Sequence, residues 1–363
     1  MTDFFSEATA GFLKPIASYL QDEGVSEVMV NGHDQIFVEK KGKLFKTKAQ
    51  FDSEDDLLAA VRRIAQAVGR SIDEKEPIMD GRLADGSRVN AVIPPAAKKG
   101  IYLTIRKFSK DKLTMKQLVE SGSMSMEMAK FINLCMVMAK NTIVSGGTSS
   151  GKTTLLNVVS SLIPQDQRII VIEDASELQL SQDHVLPMET QVKDRLGEGQ
   201  VTMRELIKSS LRMRPDRIVI GEVRGAEALD LLQAMNTGHS GSLATLHANH
   251  PKGALERLET LALMSDVDLP LRAMRSQIAS AIDIIVQAQR LRDGSRRITH
   301  ISEVIGIDEN GHYEIQDLFV FKVLKVDEKG QMIGEHVACK HLPTFYEEAK
   351  AQGLKVDKKL FGL

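Results

Sequence analysis

Tryptophan is absent from this 363-residue chain, cysteine occurs twice, and aromatic residues make up only 4%. Two thiols, Cys135 and Cys339, are too few for a disulfide framework or a cysteine-built zinc site. The scarcity of aromatics removes the stacking platform on which single-stranded nucleic acids are held. Lys+Arg 47 against Asp+Glu 49, a formal charge of −2, removes the basic excess of a dedicated nucleic-acid binder. No run of about 18 apolar residues exists to span a bilayer. The opening Met1-Thr2-Asp3-Phe4-Phe5 lacks the basic start and apolar stretch of a secretory signal. What is present, 42% hydrophobic and 26% charged residues, is ordinary for a globular protein. The length suits about two domains. The expectation is a soluble, cytoplasmic, two-domain protein.

Phe4, Phe5, Phe12, Leu13, Ile16 and Leu20 fall at helical spacing over residues 4–20. Strands at 27–30 and 35–39 flank Asn31-Gly32-His33-Asp34, a tight-turn sequence. A helix over 53–68 opens at Asp52-Ser53 and closes at Gly69. A second hairpin from Ile78 to Ile93 turns at Asp85-Gly86, and Tyr102–Arg106 is a further strand. Residues 1–108 thus form an α+β domain with a one-sided sheet. The composition then turns to Lys, Ser, Met and Gly, which marks 109–125 as a flexible linker and hinge. Six of the 16 methionines lie between Met115 and Met138, read as adaptable core filler. From 126 to 363, short apolar strands at 142–145, 168–173, 217–221, 242–247 and 283–288 alternate with helical segments. That is the pattern of an α/β, mostly parallel sheet with helices on both faces. From about 297 a β/α appendage is expected, with short strands such as 312–315 and a helix at 344–352.

Gly146-Gly147-Thr148-Ser149-Ser150-Gly151-Lys152-Thr153 fits G-x-x-x-x-G-K-[ST]. The glycines let successive N–H groups curl around phosphates, and the loop leads into a helix N-terminus. Lys152 reaches the β/γ-phosphates and the Thr153 hydroxyl is a Mg²⁺ ligand. With Thr154 in the first turn, residues 146–154 are the expected nucleoside-triphosphate cradle. Downstream, Arg168–Ile172 ends at Glu173-Asp174, with Glu177 one turn on, and Arg217–Ile220 ends at Gly221-Glu222. Ligands of open α/β sheets bind beyond the carboxyl ends of the strands. Glu222 is therefore assigned to water activation, while Glu173, Asp174 or Glu177 completes the metal's surroundings. Gly221 stands where an Asp would commonly hold Mg²⁺. His239 and His247 are expected beside one sheet edge, as γ-phosphate sensors or as satisfied packing histidines. No third ligand at metal spacing accompanies them, so zinc is rejected.

Four stretches together resemble a known family. The phosphate loop, Ile172-Glu173-Asp174-Ala175-Ser176-Glu177, Arg214 to Arg224, and Thr237-Gly238-His239 to His247-Ala248-Asn249 follow in order. They are similar to the Walker A, Asp box, atypical Walker B and His box of the type II/type IV secretion (traffic) ATPases. Asp85 to Pro95, Leu103 to Phe108, Gln233 to Gly238 and Gln277 to Asp283 look most like the CpaF/TadA branch serving tight-adherence (Tad/Flp) pili. The resemblance implies a RecA-like P-loop ATPase domain behind a smaller PAS-like α+β domain. It further implies a homo-hexamer at the inner face of the bacterial cytoplasmic membrane, working with membrane platform proteins and using ATP and Mg²⁺, without direct nucleic-acid contact. Carried over by position, Glu222 is the Walker B acid, Glu177 the Asp-box acid, and His239 and His247 are γ-phosphate and interface sensors. Arg88 and Arg106 match arginines that reach the nucleotide, Arg82 less closely; paired surface arginines beside Asp80 or Asp85 are the plainer reading. Where many relatives have glycine, this chain has Ser149, a change compatible with binding if its φ is negative. Two other classes stay open: an ATP-binding scaffold with little turnover, and a RecA-like nucleic-acid motor.

Overall fold

The computed structural model describes residues 12–40, 42–108, 113–193, 197–265, 267 and 269–363. The chain divides into two compact units, residues 1–111 and 112–363. In the first, helix α1 (Lys14–Gln21) precedes strands β1 (Val25–Asn31), β2 (Ile36–Lys40) and β3 (Lys43–Lys46). Helix α2 (Glu54–Ala67) then leads to β4 (Ile78–Arg82), β5 (Arg88–Val92) and β6 (Tyr102–Arg106). Residues 1–11 of the expected first helix lie outside the described residues. Ser53 opens α2, its hydroxyl accepting from Asp56 N at 3.1 Å, with three acids in the first turn favoured by the helix dipole. The antiparallel sheet runs β3-β2-β1-β6-β5-β4. Val28, Val30, Val89, Ala91, Leu103 and Ile105 alternate onto one face and share a core with Ile16 of α1 and Leu57, Val61 and Ile64 of α2. β3 was not foreseen; its four residues are all exposed and carry no burial alternation.

The second unit corrects the linker. Residues 109–112 lie outside the described residues, but Thr114 and Gln117 form a capping box that opens α3 (Met115–Glu120). Ser125 caps α4 (Met126–Val137), and Leu118 and Met124 are buried in this unit's core. The segment assigned to the linker thus contains a capped helix and contributes Leu118 and Met124 to this unit's core. The chain continues through β7 (Thr142–Gly146), α5 (Lys152–Ser160), β8 (Ile169–Glu173), β9 (Val185–Glu189), α6 (Met203–Ser210), β10 (Arg217–Ile220) and α7 (Glu227–Asn236). β11 (Leu243–His247), α8 (Pro251–Ala262), α9 (Leu271–Ala281) and β12 (Ile284–Arg290) follow.

The sheet order is β15-β14-β13-β12-β7-β11-β10-β8-β9, parallel from β12 to β9. The last three strands, β13 (Arg296–Ile307), β14 (Tyr313–Val326) and β15 (Met332–Ala338), add antiparallel. They are much longer than the short tail strands expected. Helix α10 (Tyr346–Ala351) sits close to the expected position. Central strands read as unbroken apolar runs because both faces are covered. Val144, Val171 and Val219 pack with α4 and α5, while Ile143, Ile170 and Ile218 pack with α6 to α9. Among the described residues, no helix is long and apolar enough to cross a membrane.

Candidate active site

Strand β7 delivers the phosphate loop at the carboxyl edge of the parallel sheet, where Gly146 pairs with His247 of β11 and Ala288 of β12. The crowding dictates glycine at 146: a Cβ there would stand 2.4 Å from both Ala288 O and Ser150 Oγ. At Gly147 the nearest neighbour of such a carbon is Asn249 Oδ1 at 3.9 Å, so that residue faces open space. Gly151 takes φ +92 before Lys152 starts α5. Ser149 takes φ +58, so the negative φ under which serine is readily accommodated is not the one it adopts. A serine in this region costs roughly 1–3 kcal/mol, and such strain persists only when surrounding contacts hold it.

Lys152 is buried, its Nζ donating to Gly147 O at 3.0 Å and lying 3.3 and 3.4 Å from the ring nitrogens of His247. Burial pulls its ammonium below the usual lysine range; Glu222 opposes this and Arg224 adds to it. His247 Nε2 stands 2.8 Å from Glu222 Oε1. Arg224 Nε donates to Glu222 Oε2 at 2.8 Å, a second guanidinium nitrogen binds the same oxygen, and Nη1 lies 3.7 Å from Asp174. Bonding to Glu222 holds the Arg224 charge, with Asp174 and Glu177 contributing at longer range. Lys152, His247, Glu222, Arg224 and Asp174 thus form one chain of contacts at the mouth of the loop.

Arg224 was quoted in the motif but given no role. A residue two positions beyond a strand-end acid is placed to fold back on it, and that spacing was the available signal. Glu173 has a different set of contacts. It is buried, with Oε1 accepting from the N–H of Glu177 and both oxygens accepting from that of Leu178, so it shapes the loop that carries Glu177. Its methylene also explains the missing Asp, because a Cβ on Gly221 would stand 2.8 Å from Glu173 Cγ.

The two histidines do not share a sheet edge. His247 ends β11, whereas His239 precedes it in the turn whose Ser242 Oγ donates to His239 O, beside the start of β7. About 13 Å of strand separates those ends. Arg88 and Arg106 belong to the first unit. There Arg82, Arg88 and Arg106 stand directly opposite one another across β4, β5 and β6, a like-charged row that costs stability unless countered. Arg82 is partly drawn off, its Nε donating to Gly86 O at 3.2 Å and its guanidinium lying 5.8 Å from the Phe108 ring centroid. Asp80 accepts from Asn90 and Asp85 from Ser87.

The residues fit a magnesium-bound triphosphate. The Ser150 hydroxyl is buried with no hydrogen-bond partner among the described residues, Gly147 is open, and a partly desolvated ammonium faces the loop. Among the described residues no cluster of three or more His, Cys, Asp or Glu is arranged to hold a metal.

His247 carries a pH consequence. Burial and the neighbouring Lys152 lower its pKa below 6.5, with Glu222 opposing. The unfolded chain therefore takes up this proton first as pH falls. Stability is unaffected well above pH 6.5 and declines as pH drops through 6.5 toward the lower folded value. Thermal melts between pH 7.5 and 5.5 should show a steeper fall for the native protein than for His247→Asn; parallel falls would contradict this.

A family model described as type II/IV secretion system protein matches residues 10–346. A Mycobacterium tuberculosis protein named for conjugal transfer is 35% identical over 299 residues, spanning 81% of this chain and 84% of its own. The type IV secretion system protein VirB11 of Bartonella henselae is 32% identical over 327 residues, covering 80% and 91%. Among solved structures, the pilus retraction motor PilT with bound ADP superposes with a TM-score of 0.57 at 20% identity, over 82% of this chain and 83% of that one. At that identity the likeness is one of fold.

Proposed function

The chain belongs to the type II/IV secretion system protein family, and on that footing we propose that it is a Mg²⁺-dependent ATPase motor of a secretion or pilus machine. The observation that carries this reading is the contact chain from Lys152 through His247 to Glu222 at the mouth of the phosphate loop. A nucleotide-gated scaffold has no need of an acid placed there. Residues 146–154 would cradle ATP, with Thr153 and the Glu177 side on Mg²⁺, which supplies charge neutralisation at the β- and γ-phosphates.

Glu222 accepts a proton from water as the water oxygen attacks the γ-phosphorus in line. The bond to the β-bridging oxygen breaks, and ADP and phosphate leave. Arg224 has to release Glu222 Oε2 for that role. Lys152 stabilises charge on the departing phosphates, and neutral His247 orients Glu222. Arg88 and Arg106 contribute guanidinium charge to the γ-phosphoryl group. His239, in the turn at the end of β11 away from the loop, serves at an interface between subunits.

The proposed assembly is a homo-hexamer at the inner face of the cytoplasmic membrane, driving platform proteins. A CpaF/TadA-like role in a tight-adherence pilus rests on the stretches Asp85–Pro95 and Gln233–Gly238. Relatives named for conjugal transfer and type IV secretion favour a second reading, substrate export by a type IV apparatus.

Mg²⁺-ATPase rate per subunit should climb with protein concentration, as shared sites require. Arg88→Ala and Arg106→Ala should each lower that rate about tenfold or more while leaving ATP affinity within about threefold. Native rates in both variants would remove the arginines from the site. No turnover at any concentration, alone or with membranes, would leave the scaffold.

A further inference from the structure

The turn between β12 and β13 lays a cation on the phosphate loop. Arg296 opens β13, and its Nε donates to Ser149 O at 3.0 Å. The same side chain passes over Gly151, where a Cβ would stand 3.3 Å from Arg296 Cδ. These contacts fall on the two residues of the loop that have positive φ, Ser149 and Gly151. The turn presenting Arg296 is itself fixed. Asp293 Oδ1 accepts from Ser295 N at 2.9 Å and Ser295 Oγ at 2.7 Å, and Oδ2 accepts from Met332 N of β15 at 2.8 Å. Hydrogen bonds from the Ser295 hydroxyl and then the Met332 amide hold the Asp293 carboxyl down at about 2.

We propose that Arg296 is a positioning residue of the phosphate loop, holding Ser149 in its left-handed conformation so that the loop is formed before nucleotide arrives. A serine leaves this region readily unless its carbonyl is held, and a return to negative φ would turn the next peptide N–H away from the phosphates. Arg296 donates to that carbonyl. The nucleotide then meets an ordered loop and is spared the work of ordering it. Once nucleotide is bound the loop is held by phosphate contacts, so Arg296 should matter for affinity more than for the chemical step. The inference rests on the reading of residues 146–154 as a nucleotide site.

The test is calorimetric titration of the full chain with Mg²⁺ and the non-hydrolysable analogue AMP-PNP, beside steady-state kinetics with ATP. Arg296 is exposed, so Arg296→Ala should fold normally. It is expected to bind AMP-PNP about fivefold more weakly, with KM for ATP raised similarly and kcat within about twofold. In a Ser149→Gly background, where glycine takes positive φ without penalty, Arg296→Ala should cost less than twofold. An equal loss in both backgrounds would mean direct contact with the nucleotide and would overturn the positioning role. Unchanged affinity in Arg296→Ala while Lys152→Ala loses binding would sink the proposal and leave the nucleotide site standing. Binding unaffected by Lys152→Ala would remove both.

Discussion

Lys152→Ala is expected to weaken Mg²⁺-ATP binding by about 100-fold or more, while Tm stays within about 2 °C of the native value. The affinity loss follows from charge-assisted hydrogen bonds of roughly 1.5–3 kcal/mol each to two phosphates, at 1.4 kcal/mol per tenfold. Near-constant stability follows from the ammonium's surroundings. Its pKa is lowered chiefly by burial, so the fold disfavours the charged form and the charge does not support folding at pH 7. The substitution gives up the bond from Nζ to Gly147 O and the contact with the His247 ring, and leaves Glu222 held by Arg224. A second readout is independent of nucleotide. Lys152 is the leading neighbouring charge depressing His247, so the imidazole should titrate higher in the variant, measurable by proton NMR. Native affinity in Lys152→Ala would show that residues 146–154 do not hold the triphosphate.

The sequence disclosed what is local. The phosphate loop needs one strand, one turn and one helix in succession, and five parallel strands are apolar runs bounded by turn residues because both sheet faces are covered. What required three dimensions was hidden to the same degree that it was non-local. Arg296 and Ser149 are 147 residues apart, and Gly221 is explained only by Glu173 lying beside it. Strand β9 escaped notice because Val185–Glu189 is short, half-exposed and interrupted by Pro187. Two further features follow from local rules. His239 and His247 flank a single strand, and strand polarity alone puts such residues at opposite edges of a sheet. The segment assigned to the linker contains Thr114-x-x-Gln117, a helix-opening signature set among lysines, serines and methionines. In the candidate site, the loop and Glu222 could be picked out from sequence, whereas the contacts of Arg224 with Glu222 and of Arg296 with Ser149 could not.

Glu222→Gln should retain ATP affinity, or tighten it, while turnover falls by about 10²–10⁴-fold, the range for loss of a general base. The amide matches the carboxylate in shape, so the sheet and loop are undisturbed, but it cannot take a proton from water. It also removes a negative charge from the neighbourhood of the γ-phosphate, which favours the bound state. Two local effects accompany the change. Arg224 loses the partner that chiefly raises its pKa, leaving Asp174 and Glu177 as the nearby acids. His247 loses the one charge that opposes its depressed pKa, so its titration should move further down, opposite to the shift expected for Lys152→Ala. Loss of turnover, retained affinity and that downward histidine shift, measured on one protein, would place Glu222 at the reacting water with the fold intact. Turnover within about threefold of native would instead mean that Glu222 serves only to anchor Arg224 and His247. Water activation would then pass to another acid, with Glu177, on the loop that Glu173 shapes, the next to substitute.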